Sequence, residues 1–440
     1  MKLCMISLGC DKNLVDSEMM LGFLRRENVS VTDDAEEADV MIVNTCCFIL
    51  DAKNESIRAI LEAAQLKESG NLKALIMTGC MAERYREEVL KEIPEIDAVV
   101  GTSAYDKIEE VLERVLAGER VEEFQDLGRL PAVSEKRFFP AVNYCGYLKI
   151  AEGCDKHCTY CIIPSLRGRY RSYPMETLVE QARQMADAGV RELILVAQET
   201  TVYGRDLYRK KKLPTLLRKL CRIKGIHWIR ILYCYPEEIT DELIACMAKE
   251  KKICRYLDLP IQHASDSVLR RMGRCTSRSD LEEMIRKLRT AMPDITLRTT
   301  LISGFPGETE EDHETLMRFV EQIGFDRLGV FPYSREEGTA AAEYAAQVPA
   351  RIKKKRRNQL MALQQKISAG RLQNKIGAVM EVLTEGYLPE EQVYVGRTFM
   401  DAPDVDGYFF FTAKRELLSG EFVKVRVTEA SEYDLRGELV

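Results

Sequence analysis

Along residues 1–117, short apolar runs alternate with longer stretches in which apolar residues return every three or four positions. The runs Lys2–Leu8, Asp39–Val43, Lys73–Thr78 and Asp97–Val100 predict strands. The stretches Leu14–Arg26, about Asp51 to Lys67, about Ala82 to Lys91, and Ala104–Leu116 predict helices. Strict alternation of this kind implies a doubly wound parallel sheet. Residues 118–144 carry Gly118, Gly128, Pro131 and Pro140 with little periodicity and read as a linker, which Phe138 and Phe139 would staple to a neighbour. From Gly146 to about Ser334 the alternation resumes, with strands predicted at 146–151, 191–197, 226–232, 254–259, 294–302 and 326–331. The helix Glu176–Ala188 between the first two puts Leu178, Ala182 and Met185 on one face and stops at Gly189. Six strand–helix units are too few for a closed eight-stranded barrel, so a partial (βα)6 barrel is expected, with its site at the carboxyl ends of the strands.

Arg351–Leu372 has a helical pattern and contains the basic run Lys353–Arg357, which either touches phosphates or forms a solvated helix face. After it the period changes. Short alternating runs at Ala378–Leu383, Gln392–Arg397, Tyr408–Thr412 and Glu421–Thr428 are separated by turn signals at Asp404–Gly407 and Ser419–Gly420, which predicts a small antiparallel β-barrel. The predicted division is therefore 1–117, a linker at 118–139, a core at 140–370 and a last domain at 373–440.

Composition narrows the chemistry. A chain of 440 residues should hold two to four domains. No run approaches 18 apolar residues, so no spanning helix is expected, and the first residues turn polar too soon for a signal peptide. The expected location is the cytoplasm. There, 14 cysteines read as metal-binding or catalytic rather than as disulfides, and all lie at or before Cys275. The net charge of −6 weighs against a nucleic-acid binder. From Gly377 onward, 13 Asp and Glu face 6 Lys and Arg, a net −7, which suits a basic protein better than a phosphate backbone.

Two sets of three cysteines stand out. Cys154, Cys158 and Cys161 are spaced C-x3-C-x2-C, with Tyr160 before the last. Soft thiolates suit zinc or iron–sulfur centres, but zinc loops usually add a second cysteine pair, and no cysteine follows before Cys221. Three ligands on a four-iron cluster leave one iron open, against the alternative of an incomplete zinc loop. Cys10, Cys46 and Cys80 each follow one of the first three predicted strands, and in an open parallel sheet those loops share one edge. They either converge on a second centre or pack as structural thiols. Cys47 would point elsewhere, and Cys4, mid-strand, belongs to the core.

The cysteine loop, together with the string from Tyr147 to Cys154 and on through Cys161-Ile162-Ile163-Pro164 to Arg167-Gly168, resembles the radical S-adenosylmethionine (SAM) enzymes and, among them, the methylthiotransferases. The strings Ser7–Glu18, Asn44-Thr45-Cys46 and Thr78-Gly79-Cys80 are similar to that family's amino-terminal domain, and residues 376–440 resemble its TRAM domain. The resemblance covers essentially the whole chain. It implies two 4Fe-4S clusters, one on Cys154, Cys158 and Cys161 with SAM on its open iron, and an auxiliary one on Cys10, Cys46 and Cys80 where the transferred sulfur sits. It also implies two SAM molecules per turnover, one giving a methyl group and one a 5′-deoxyadenosyl radical that takes hydrogen from an unactivated carbon. Rim segments at Gln198–Gly204, Tyr233–Pro236, Leu259–His263 and Gly304–Thr309 match the family, as does Asp266–Arg274. Tyr160, Gln198, Gly304, Pro306 and Glu308 are the implied SAM contacts, the Gly304 loop because glycine lets backbone approach a ligand. His263 is either a base or a structural histidine.

Within the family, Ser7–Asn13 and Gln198–Gly204 look like the enzymes that modify the β-carbon of an aspartate in ribosomal protein S-twelve rather than those acting on a modified adenosine of tRNA. Asp11 replaces a common Pro, and Glu199 a usual Asp. The implied partners are that protein or the small ribosomal subunit, an electron donor such as flavodoxin, and a sulfur donor, with neither membrane nor nucleic acid as direct substrate. A plain electron carrier is disfavoured, because carriers are small and hold clusters with four cysteines.

Overall fold

The computed structural model describes residues 1–27, 29–70, 72–135, 137–138 and 144–440. The predictions for Phe139 and Pro140 lie outside these residues.

Six parallel strands form the amino-terminal sheet: β1 Lys2–Ser7, β2 Ser30–Val31, β3 Val40–Thr45, β4 Ala74–Gly79, β5 Ala98–Val100 and β6 Val121–Glu123, in the order β2-β1-β3-β4-β5-β6. The apolar runs make β3 and β4 buried along their whole length, as a sheet covered on both faces requires. The chain reverses its winding between β1 and β3, and doubly wound sheets bind ligands at such a switch point, outside the carboxyl ends of the strands. Two expectations are corrected here. Residues 118–139 are not all linker: Val121–Glu123 adds the sixth strand beside β5, too short and too acidic to show a period. The helix expected at 82–91 is two helices, Cys80–Tyr85 and Glu87–Glu92, broken at Arg86, whose φ of 42° leaves the helical region.

The core contains β7 Cys145–Lys149, a short ribbon of β8 Ala151–Glu152 with β9 Arg171–Ser172, then β10 Glu192–Val196, β11 Trp228–Ile231, β12 Tyr256–Asp258, β13 Thr296–Ser303 and β14 Arg327–Pro332. The order β7-β10-β11 continues to β12-β13-β14 through a parallel bridge from Ile229 to Ile253, which gives an open six-stranded barrel. Successive side chains point to opposite faces of a strand. Leu193, Leu195, Ile229, Ile231, Leu257 and Leu297 pack in the cluster shared with the helices. The alternate positions carry Lys149, Glu192, Arg230, Asp258, Arg298 and Arg327, so the inner face is charged and must find partners.

It finds them in the flanking domains. The long helix Ala350–Gln373 leads to a closed barrel of β15 Val379–Leu388, β16 Val393–Arg397, β17 Phe409–Thr412, β18 Phe422–Ala430 and β19 Leu435–Leu439. The fifth strand, which carries Gly437 in its middle, was not expected, and it pairs parallel to β17, so the barrel is not wholly antiparallel. This domain meets the amino-terminal ends of the core strands. Arg230 donates to Glu192 at 2.7 Å and to the Phe399 carbonyl at 2.8 Å, and Arg397 donates to Glu192 at 2.8 Å. Arg327 pairs with Asp401, and Arg298 with Asp258 and Asp406. One apolar cluster runs from Leu3, Val15, Ile42 and Ile76 through Ile194, Val196 and Tyr256 to Leu383 and Ala402, so all three domains share it.

Candidate functional site

The first three cysteines stand at the switch point. Cys10 caps the helix Asp11–Phe23, Cys46 follows β3, and Cys80 opens the helix Cys80–Tyr85 directly after β4. A helix amino terminus favours a thiolate. Their loops are stitched together by side-chain amides and hydroxyls. Asn13 donates to the carbonyls of Leu8 and Thr45 at 2.9 and 3.0 Å, Asn44 donates to the Asn13 carbonyl, and the Thr45 hydroxyl donates to the Thr78 carbonyl. Ser56 clamps Cys46, accepting from its N–H and donating to its carbonyl. Gly9, at φ 91°, lets Cys46 approach: a Cβ there would stand 2.8 Å from the Cys46 sulfur. Cys4 and Cys47 are buried as well, in one apolar cluster with Cys80.

Cys154, Cys158 and Cys161 lie above the carboxyl end of β7. Gly153, at φ 79°, turns the chain against the Arg169 carbonyl, and the N–H of Cys154 donates to the Gly168 carbonyl. Thr159 is held on both sides, by its N–H on the Met272 carbonyl and its hydroxyl on the Arg271 carbonyl. Gly273 leaves room for the His157 carbonyl, which is why the segment Asp266–Arg274 sits beside the cysteine loop. The Cys158 sulfur is 3.0 Å from the Tyr235 hydroxyl, and Arg274 stacks 3.7 Å above that ring.

Burial first, then the neighbouring Cys80 and Cys10, pushes the Cys46 thiol up to about 12; burial likewise moves Cys154 to about 11 and Cys161 to about 12. Such thiols ionise when a metal supplies the positive charge. Among the described residues, no three His, Cys, Asp or Glu side chains close on a point that would hold a single metal ion. A four-iron cluster offers separate attachment points over a wider span.

Between the triads lies a charged network absent from the sequence-based expectations. Arg167, closing the helix Ile163–Arg167, donates to Asp16 at 2.7 Å, to Glu152 at 3.3 Å, to the Asn13 side chain, and through Nε to the Cys80 sulfur at 3.4 Å. Lys149 pairs with Asp16 and with Glu152, and Gln198 donates to Glu152 at 2.7 Å. Arg167, Lys149, Asp16 and Glu152 are all buried. Burial would raise the Glu152 carboxyl, but Lys149 and Arg167 outweigh it and hold it at about 2. The available signal was a lysine and a glutamate three apart inside an apolar strand segment, Tyr147–Glu152, where charges persist only when paired.

The rim residues divide. Gln198 Oε1 and Glu199 Oε2 are buried and accept no hydrogen bond, though Lys156 lies 3.9 Å from Glu199. Tyr160 packs edge-on against Phe305 with ring centres 6.5 Å apart. Gly304 is filled from behind by the Lys353 side chain, so its missing Cβ lets a helix approach. The Glu308 carboxylate turns back into its own loop, accepting from the N–H groups of Gly304 and Phe305 at 2.6 and 3.0 Å and from Arg356 at 3.0 Å; Pro306 is buried beside it. Burial, opposed by Arg356, lifts the Glu308 carboxyl to about 7. Within the basic run, then, Lys353 and Arg356 support this loop while Lys354, Lys355 and Arg357 are exposed. Tyr233 and Gln262, on the same rim, hold φ angles of 59° and 69°, sparsely populated for side chains other than glycine. The Tyr233 hydroxyl donates to Asp11 at 3.0 Å and its ring carries the Lys12 ammonium at 3.2 Å, which gives the unusual Asp11 a partner across the junction.

The chain matches family models described as Uncharacterized protein family UPF0004 over residues 2–101, Radical SAM superfamily over residues 148–320 and TRAM domain over residues 376–440. With its two triads of thiols on this fold, the molecule is a radical SAM methylthiotransferase. It is 59% identical over 99% of both chains to the ribosomal protein uS12 methylthiotransferase RimO of Lachnoclostridium phytofermentans, and 49% identical over 99% of this chain and 98% of the other to that of Desulforamulus reducens. The chain belongs to the RimO family of uS12 methylthiotransferases. Among solved structures it shares its fold with the radical SAM methyltransferase TsrM of Kitasatospora setae, at a TM-score of 0.57 and 15% identity over 77% of this chain and 76% of that one. The cobalamin-dependent SAM radical enzyme OxsB aligns at a TM-score of 0.52 and 14% identity, covering 78% of this chain and 54% of that one.

Proposed function

We propose that this chain adds a methylthio group to the β-carbon of an aspartate of ribosomal protein uS12. The observation that carries the reading is the pair of three-cysteine sites, one on each side of a single buried junction, in a chain related over its full length to enzymes of that name. Cys154, Cys158 and Cys161 would hold a [4Fe-4S] cluster that binds SAM, and Cys10, Cys46 and Cys80 an auxiliary one. When bound, these groups supply one-electron cleavage of SAM and a seat for the sulfur to be transferred.

The chain's own residues orient and exclude. The Gln198 Oε1 acceptor, which takes no hydrogen bond, suits a cationic amino group such as that of SAM, and Glu199 beside it adds negative charge that Lys156 answers from 3.9 Å. Tyr160 walls the cysteine loop against Phe305. Gly304, Pro306 and Glu308 would shape the opposite wall, with Glu308 acting on its own loop and not on the ligand. His263 has no exposed surface, and its Nδ1 accepts the Ser265 N–H at 2.9 Å, which fits a structural part and not a general base. An electron donor of the flavodoxin kind and a sulfur donor are required from outside the chain. The site lies in the cytoplasm on this reading; among the described residues no helix is long and apolar enough to cross a membrane.

A second reading, methylthiolation of tRNA, would want a cationic last domain, whereas residues 377–440 carry a net charge of −7. Mass spectrometry of uS12 and of tRNA from a strain lacking the gene separates the two. The expected result is loss of the methylthio-aspartate with tRNA unchanged, and loss of a methylthio-adenosine with uS12 intact would refute it.

A further inference from the structure

Arg167 belongs to the core domain, six residues beyond Cys161, yet its guanidinium reaches into the amino-terminal domain and donates Nε–H to the sulfur of Cys80 at 3.4 Å. We propose that Arg167 is a positioning residue that sets the reduction potential of the auxiliary cluster through this bond to one of its ligands. The proposal rests on Cys10, Cys46 and Cys80 holding that cluster.

Adding one electron to an iron–sulfur cluster makes or breaks no bond and leaves one more negative charge. A hydrogen bond to a ligand sulfur and a nearby positive charge stabilise that charge, so both raise the potential. The surroundings make the effect directional. Arg167 and Lys149 face two carboxylates, Asp16 and Glu152, in a closed and buried group. The four formal charges cancel, and among the described residues the group touches a cysteine sulfur through the Arg167 Nε–H. Removing Arg167 leaves Asp16 and Glu152 paired with Lys149, a net −1 within the group, with Arg171 acting on Glu152 from outside it. Neutralising Asp16 instead leaves a net +1. The two substitutions loosen the same junction but push the cluster in opposite directions, which a purely structural role would not do.

The test uses the full chain with Cys154, Cys158 and Cys161 replaced by Ala, so that iron can bind only at the other triad. After anaerobic reconstitution, the cluster is titrated with dithionite and followed by electron paramagnetic resonance. In that background, Arg167→Gln should lower the reduced-to-oxidised ratio at a fixed potential roughly tenfold, a shift of about 59 mV for a one-electron couple. Asp16→Asn should move it the other way. If Arg167→Gln takes up no iron, Arg167→Lys, which keeps the charge without Nε, is read in its place and should also titrate at lower potential. A midpoint unmoved in the arginine variant that assembles, or moved in the same direction by Asp16→Asn, overturns the inference. A parent that binds no iron refutes instead the assignment of the auxiliary cluster.

Discussion

His263 shows how a single buried side chain makes this protein sensitive to acid. Burial, with help from His313, Arg271 and Arg356 and against Asp312, lowers its imidazole from 6.5 to about 3. The unfolded chain takes up a proton near pH 6.5, whereas the folded chain resists until about pH 3, so stability falls as pH drops between those values. By pH 5 the contribution is about 2 kcal/mol. Glu308 and Glu199, both lifted to about 7, gain stability over the same range and pull the other way, so the His263 effect is read as a difference: from pH 7 to pH 5 the urea midpoint of the metal-free protein should lose ground relative to that of His263→Asn, and an unchanged difference would contradict the account. At this scale the sequence was legible where chemistry is local. Six cysteines stood out by spacing or by following a strand, and the structure sets Cys10, Cys46 and Cys80 just past β1, β3 and β4. Arg167 and Asp16 did not, because they lie 151 residues apart and meet only when two domains close on each other. The turned-in carboxylate of Glu308 was equally hidden, since its partner Arg356 sits in a run that reads as solvated surface.

Among the elements, the loops after β1, β3 and β4 depend on glycine at two points. Gly9 and Gly79 both have positive φ and no space for a Cβ, which would strike Cys46 in one case and the Thr45 backbone in the other. Gly9→Ala should therefore displace Cys46 and spare the distant cysteine loop. Iron in the reconstituted protein is expected to drop from about eight per chain to about four, with 5′-deoxyadenosine production on SAM and dithionite retained. Full iron loading in the variant would show that the close contact is not needed. Strand and helix positions were readable because a period of two or of three to four is imposed by burial itself. What escaped were pieces too short to show a period: β2, β6 and β19, and the break at Arg86. The alternation inside the core strands was also missed. A charged inner face looks like ordinary solvent exposure until another domain is found to cover it.

At the scale of the whole molecule, the domains named by sequence are not independent bodies. Leu3, Tyr256 and Leu383 share one apolar cluster, and Arg230, Arg298 and Arg327 of the core depend on the last domain for their partners. Asp401→Asn strips Arg327 of its counter-charge; breaking a buried pair from one side costs about 3–5 kcal/mol. Urea unfolding of the metal-free chain should remain one transition, displaced as a unit to lower urea. A separate early step in the variant would mean that the carboxyl-terminal barrel unfolds by itself. The sealing of the strands' amino ends by that barrel has a further consequence. With Arg230, Arg298 and Arg327 gripping it, that barrel cannot swing away without stranding buried charge. It is fixed masonry and not a swinging arm, so whatever docks on it meets a surface that keeps its shape.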